Sequence, residues 1–257
     1  GGGRASVSGL VVEMSEGGCL LRPGSAEAIA TIADGSRVEV TLEGIGRLSG
    51  LLAGRHANGL RVHFADGLGG ADEAIRQHLA KAEASQRRIT AIAGERKAMI
   101  EEALEQALAR RHISIEDLFD TDYKAIRDTD PRQFTSRNLD LLERILPDIQ
   151  EPVLSLDPSI VFCAAVDRNG YLPVHNAVFS KPQGSDPTWN NANCRNRRLF
   201  NDRTGLAAGR NVREHLVQTY PRDMGGGRVV MMKDVSSPIM VRGRHWGGLR
   251  IGCRLGG

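Results

Sequence analysis

Two short stretches decide the fold of the C-terminal half: residues 167–176 (DRNGYLPVHN) and residues 243–252 (GRHWGGLRIG). Each joins a strand-compatible run to a turn, and each places a histidine, an aromatic ring and small residues together. Between them, residues 190–203 are so rich in Asn and Arg that we expect a polar loop rather than buried core. A sheet that carries such a loop across one face is typical of a small-molecule sensor.

Further strands are expected around these stretches. Residues 159–166 form an apolar run bounded by turns, which predicts a buried strand paired through a hairpin with residues 171–175. A helix is predicted upstream over residues 136–149, where apolar residues fall on one face. Three more strand candidates follow downstream, at residues 214–220, 228–241 and 245–255.

The first 65 residues have an all-β pattern. Five short runs with strand character are separated by regular turns, and an Asn-Gly hairpin signal precedes the last of them. This pattern predicts a small barrel. The predicted strands cover residues 9–14, 19–21, 37–42, 46–52 and 60–64.

A proline-free segment, residues 71–111, carries apolar residues at spacings of three and four and predicts one long helix. An apolar stripe on so long a helix favours a second copy of the chain as its partner; the alternative is that it packs along its own sensor domain. The predicted fold class is α+β. Its domains are a barrel at residues 1–66, a linker and dimerisation helix at 71–116, and an antiparallel-sheet sensor at 117–257.

Composition excludes little. The chain has 257 residues, 40% of them apolar, and a net charge of +3, which gives no argument for nucleic acid or a membrane surface. No apolar run is long enough for a membrane span and no signal peptide is recognisable, so we expect a cytoplasmic protein. The four cysteines show no C-x-x-C pair and are expected to be reduced thiols. The opening Gly1-Gly2-Gly3 suggests a piece cut from a longer protein.

In residues 13–21 (EMSEGGCLL) and 59–64 (GLRVHF), the first domain resembles a PilZ domain, a barrel that often binds cyclic di-GMP. The [D/N]-x-S-x-x-G ligand motif is matched at Ser15 and Gly18, but Glu13 stands where Asp or Asn is expected. The R-x-x-x-R segment is absent, and Arg4 alone precedes the strand. Because those arginines would bind phosphate and stack on guanine, we interpret the barrel as degenerate. The nucleotide-binding candidates are Arg4, Ser15 and Gly18.

Residues 167–171 match the pattern D-x-x-G-Y, and residues 243–251 (GRHWGGLRI) are Gly-rich. In these two stretches the sensor domain resembles Cache and PAS-like domains, where they correspond to the D-x-x-G-Y and G-x-x-G-x-L elements. The segment from about residue 117 is more similar to a C-terminal region of some bacterial methyl-accepting chemotaxis proteins. That similarity is carried by GYLPVHN (170–176), RNRR (195–198), QTYPRD (218–223) and GRHWG (243–247). The resemblance implies a chemotaxis or related signalling protein, with chemotaxis proteins as partners.

Three kinds of side chain could form a ligand site in this domain. The arginines could donate to a carboxylate or phosphate, the aromatic residues could supply walls, and the polar residues could fix an amine or hydroxyl. An amino acid, an organic acid or a purine-like ring would suit such a pocket. The candidates are Tyr171, His175, Asn176, Arg195, Arg197, Arg198, Tyr220, Arg222, Asp223, His245 and Trp246.

A zinc or haem site is the rival interpretation, with His175, His245 and Cys194 as ligands. No pair of these residues has a spacing that fixes coordination geometry. An enzyme is not expected, because no G-x-S-x-G, Walker A, H-E-x-x-H or G-x-G-x-x-G motif in the required context is present.

The sequence therefore predicts a chemotaxis-type sensory module, in which a small ligand in the C-terminal domain biases a helical homodimer. Two alternatives stay open. One is a non-enzymatic docking or cyclic di-GMP-responsive adaptor that acts through the barrel. The other is a metal or haem sensor.

Overall fold

The computed structural model describes residues 8–24, 32–56, 59–65, 71–223, 227 and 229–255. The fold is mixed α/β with a curled, half-barrel antiparallel sheet. The chain divides into two units, residues 1–86 and 87–257, and the boundary falls within one long helix. The candidate nucleotide-binding residue Arg4 lies outside the described residues.

The first unit contains a five-stranded antiparallel sheet in the order β1-β2-β5-β4-β3. Its strands agree with the sequence prediction, except that the second and fourth are longer and reach Pro23 and His56. Alternation along the third strand buries Val40 and Leu42, and these pack with Leu48, Val62 and Ile75 into one core. The strands are β1 Gly9–Ser15, β2 Gly18–Pro23, β3 Arg37–Leu42, β4 Gly46–His56 and β5 Gly59–Phe64.

The long helix, α1, runs from Ala71 to Ala109, as predicted to within two residues. From Ile89 onward its apolar stripe is buried in the core of the second unit, where Ile100 and Leu104 are fully covered. This part of the stripe therefore packs along its own domain, which is the alternative that the sequence allowed. Homodimerisation stays a prediction. No described helix is long and apolar enough to cross a bilayer.

The second unit is built on a four-stranded antiparallel sheet in the order β11-β12-β13-β8. One face packs against α1 and α3 through Val235, Ile239, Leu249 and Ile251. The main strands are β8 Ile160–Asp167, β11 Leu216–Asp223, β12 Val229–Val241 and β13 Arg244–Arg254, all close to their predicted positions. The helices are α2 Ile115–Leu118, α3 Leu139–Gln150, α4 Pro187–Asn193 and α5 Arg203–Arg210.

The other face of this sheet is covered by the segment between β8 and β11, residues 168–215, which we call the covering segment. A close contact fixes α5 there, because a Cβ on Gly248 would stand 2.6 Å from the Ala208 carbonyl oxygen. The remaining short elements are β6 Lys124–Ala125, β7 Phe134–Thr135, β9 Tyr171–Leu172 and β10 Arg198–Leu199, with 3-10 turns at Glu151–Ser155 and Ala177–Phe179.

Two expectations about the covering segment were wrong. The strand after Gly170 pairs with β10 and not with β8, and residues 190–203 hold the end of α4 and all of β10 rather than a plain loop. The Asp167 carboxylate explains the first difference. Its Oδ1 accepts the backbone N–H groups of Asn169 and Tyr171, at 2.8 and 2.9 Å, and so turns the chain away from β8.

Candidate functional site

Strand alternation gathers charged side chains on the sheet face opposite α1. Apolar residues of β12 and β13 point to the helices, so Asp234 and Arg250 between them point to the covering segment. Tyr220 and Arg222 of β11 and Phe162 of β8 lie on that face too. We call this set, with His175, Arg195 and Arg198 from the covering segment, the arginine face.

Arg250 and Asp234 form a buried ion pair across two adjacent strands. The Arg250 Nε donates to Asp234 Oδ2 at 2.7 Å, and Nη2 donates to the same oxygen. Burial raises the pKa of Asp234, whereas the attraction of Arg250 lowers it. Burial alone would lower the pKa of Arg250, but Asp234 and Tyr220 together raise it. The second carboxylate oxygen, Oδ1, has no hydrogen-bond partner among the described residues.

Arg222 is the unusual member of the arginine face. The residue is only 3% exposed, yet none of its three guanidinium nitrogens has a hydrogen-bond partner among the described residues. The group lies between two rings, 5.0 Å from the centroid of Phe162 and 4.5 Å from that of Phe179. Burial lowers its pKa. A buried cation with unused donors is costly, since each unmade hydrogen bond forfeits about 1–3 kcal/mol.

Arg195 and Arg198 approach from the covering segment and are partly exposed. Their guanidinium carbons lie 4.9 and 5.1 Å from the Phe200 ring centroid, and both groups donate to the Asn191 carbonyl oxygen. Burial and the neighbouring Arg222 lower the pKa of Arg195 to about 9, so it stays cationic at neutral pH.

His175 is buried at the edge of the same cluster. Its Nδ1 accepts the backbone N–H of Asn176 at 2.8 Å, which leaves the ring proton on Nε2 in the neutral form. The ring meets Phe162 and Phe179 edge-on. Burial, followed by the charge of Arg222, holds its pKa well below the ordinary value, so the imidazole adds no charge at neutral pH.

The arginine face therefore has an excess of positive charge. The four guanidiniums of Arg195, Arg198, Arg222 and Arg250 all act on His175. Among the described residues, Arg250 is the only one of them in an ion pair with a carboxylate. Guanidinium groups that are partly shielded from water are suited to binding a carboxylate or phosphate. Such a ligand accepts paired hydrogen bonds from them and neutralises their positive charge.

Five of the sequence-predicted ligand residues thus come together: His175, Arg195, Arg198, Tyr220 and Arg222. Three others serve the scaffold. The Tyr171 hydroxyl donates to the Phe134 carbonyl, and Asn176 Oδ1 accepts the Cys163 amide. The Trp246 indole donates to the Leu118 carbonyl from the helix-facing side, because it is the extra residue of a bulge opposite Ile239 and Met240.

The remaining predicted residues make other contacts, and one of them, Asp223, is linked to Arg195 and Arg198 through Asn191. Arg197 pairs with Glu143 through its Nε at 2.7 Å, and Asp223 is exposed and accepts from the Asn191 amide at 3.1 Å. His245 is half-buried near the start of β13, and burial lowers its pKa. In the first unit, Ser15 closes a turn on the Gly18 carbonyl.

The metal hypothesis requires a cluster of ligand side chains. Within the described ranges, no group of three or more His, Cys, Asp or Glu side chains could hold an ion. The Cys194 thiol faces the Pro182 carbonyl oxygen at 3.5 Å, and burial raises its pKa away from the thiolate that a metal requires.

A surface groove of about 580 Å³ also lies in the second unit. It contains none of the predicted site residues, and Arg242 on its wall is paired with Glu105 at 2.8 Å. The groove is lined by Leu108, Arg111, Ile113, Ser114, Ile115 and Arg242.

Sequence reasoning missed Asp234, Arg250 and the three phenylalanines of the site. A signal for the first two was present, since a charged residue inside an otherwise apolar strand is seldom buried without a partner. Residues 229–241 contain two charged residues, Lys233 and Asp234, and residues 244–254 contain Arg250 between their terminal arginines. No protein-family model matches the chain, and no curated protein is similar to it at a significant level.

Proposed function

We propose that the chain is a bacterial, chemotaxis-type signal-transduction module whose second unit binds a small ligand at the arginine face. One observation carries the proposal: the Arg222 guanidinium is buried, cationic and without hydrogen-bond partners among the described residues. Protein interiors rarely keep such a group unless something else satisfies it, and strained or unsatisfied polar groups concentrate at binding sites.

The sheet offers a route from ligand to helix. β12 carries Asp234 on the arginine face, and its far end is fastened to α1. The backbone N–H of Met240 donates to Glu101, and that of Arg242 donates to Glu105, each at 2.7 Å. A ligand that favours one position of β12 would therefore bias α1, by as much as its affinity differs between the two arrangements.

In this proposal α1 also pairs with α1 of a second copy, and the bias is passed on to chemotaxis signalling partners. Sedimentation velocity with and without ligand tests this part. The proposal expects a dimer whose dissociation constant changes on ligand addition, and a monomer at all concentrations would refute the dimer.

A thermal-shift screen tests ligand binding itself. The panel contains amino acids, organic acids, purines and cyclic di-GMP, and the proteins are the native chain, Arg222→Met and Arg244→Met. Arg244 is a matched control, since its guanidinium also covers a ring, that of Phe119 at 4.2 Å, but lies outside the arginine face.

Binding raises the melting temperature by mass action, so a hit should stabilise the native chain and Arg244→Met but not Arg222→Met. A panel without any hit, or hits that persist in Arg222→Met, would refute the proposed site.

A further inference from the structure

The aromatic rings of the arginine face are already engaged. Phe200 carries two guanidiniums, Phe162 and Phe179 enclose Arg222, and Tyr220 has Arg250 at 5.8 Å from its centroid. A purine or indole ligand binds largely by stacking on such rings. Here it would have to displace existing cation–π contacts, so the site favours a ligand recognised by charge rather than by a ring.

The positive charge of the arginine face restricts the class of ligand further. Of the four arginines that act on His175, Arg250 is neutralised by Asp234, and His175 itself is held neutral. A zwitterion would leave the remaining excess unchanged, and a monoanion would remove one charge of it. A dianion removes two, and it can take hydrogen bonds from more than one guanidinium fork.

Arg195 and Arg198 flank this site from the covering segment. Both residues are partly exposed, whereas Arg222 is buried. The Ser236 hydroxyl is also buried and has no hydrogen-bond partner among the described residues, but it lies six strand positions from the level of Arg222, because Ser236 pairs with Leu216 and Val230 pairs with Arg222. It is therefore too far away to share a compact ligand with Arg222.

We infer that the ligand of the arginine face is a compact dianion, bound by Arg222 together with Arg195 and Arg198. Two sources share this chemistry, a short dicarboxylate and inorganic phosphate. The inference rests on the proposed function, because it names the ligand class of the same site.

Isothermal titration calorimetry at low ionic strength tests it with a matched four-carbon series: succinate, butyrate and 4-aminobutyrate, which carry two, one and no net negative charges. Phosphate is titrated separately to distinguish the two sources. Hydrogen bonds to charged groups contribute about 1.5–3 kcal/mol, so each lost charge should weaken binding roughly tenfold to a hundredfold. Succinate or phosphate should also bind Arg222→Met at least about tenfold more weakly than Arg244→Met.

Each outcome bears on one claim. If 4-aminobutyrate or butyrate binds as tightly as succinate and phosphate, and does so only when Arg222 is present, the dianion inference is overturned and the binding site stands. If no compound binds, or Arg222→Met binds like the native chain, the proposed site fails as well.

Discussion

Replacing Arg222 and Arg250 in turn by methionine should change the stability of the second unit in opposite directions. The two residues lie on one sheet face, and both are more than nine-tenths buried. They differ in their partners. Arg250 donates twice to Asp234, whereas no guanidinium nitrogen of Arg222 has a hydrogen-bond partner among the described residues.

The structure sets the size of each effect. Arg222→Met removes an uncompensated buried charge and keeps an apolar side chain between Phe162 and Phe179, so we expect the ligand-free unit to gain about 1–3 kcal/mol. Arg250→Met leaves the Asp234 carboxylate buried and unpaired, which should cost about 3–5 kcal/mol. Adding Asp234→Leu to Arg250→Met should recover most of that loss, because no charge is then stranded.

Differential scanning calorimetry of the ligand-free proteins measures both. For a unit of this size, each kcal/mol shifts the melting temperature by roughly 2–4 °C. Arg222→Met should melt higher than the native chain and Arg250→Met lower. The exposed Arg244→Met serves as the control and should stay within about 0.5 kcal/mol of the native chain. A loss of stability in Arg222→Met as large as that in Arg250→Met would refute the reasoning, since it would show that Arg222 has a stabilising partner in the free protein.

Three further predictions follow from other contacts. His175 has a folded pKa held below 6.5, so only the unfolded chain takes up its proton as the pH falls below that value. The free energy of unfolding in urea should then fall by up to about 1.4 kcal/mol per pH unit below about pH 6.5, and His175→Gln should flatten this slope; equal slopes would contradict it. A Cβ at Gly248 would stand 2.6 Å from the Ala208 oxygen, so Gly248→Ala should lose about 1–3 kcal/mol in a urea titration. Gly184→Ala, whose Cβ meets nothing within 4 Å, should be neutral, and equal losses in the two variants would argue against this account. Asn176 Oδ1 accepts the Cys163 amide, so Asn176→Ala should lose about 1–3 kcal/mol but keep its ligand affinity in calorimetry; the reverse pattern would place Asn176 in the binding site.

Much of the secondary structure could be predicted, because its signals are local. Alternation located Arg37–Leu42, and the apolar run located the strand Ile160–Asp167. The spacing of apolar residues at three and four positions, together with the absence of proline, located α1. Each of these patterns is contained within the element that it predicts.

Strand pairing was harder to predict from the sequence. The hairpin motif at residues 167–171 suggested that the next strand would pair with β8, but Asp167 holds the turn amides and the chain pairs with Arg198–Leu199 instead. This choice depends on a contact with residues thirty positions away, where a Cβ at Gly170 would stand 2.3 Å from the Phe200 carbonyl oxygen. Such a contact has no local signal.

Part of the candidate site could be predicted from the sequence. The cationic run at residues 195–198 indicated an anion-binding role, yet Arg197 turns to Glu143 while Arg195 and Arg198 join the cluster. A positive φ of 58° at Arg197 separates it from its neighbours, and arginine carries no composition signal for that conformation. The pair Asp234 and Arg250 required the strand register before it could be seen.

Native mass spectrometry can show whether Arg222 holds a small anion. The native chain, Arg222→Met and Arg244→Met are purified in parallel, exchanged into a volatile buffer with succinate or phosphate, and weighed under native and denaturing conditions. We expect a small anion at up to one per chain on the native protein and on Arg244→Met, lost on denaturation and missing from Arg222→Met. The same added mass on all three proteins, or on none, would contradict a ligand held by the arginine face.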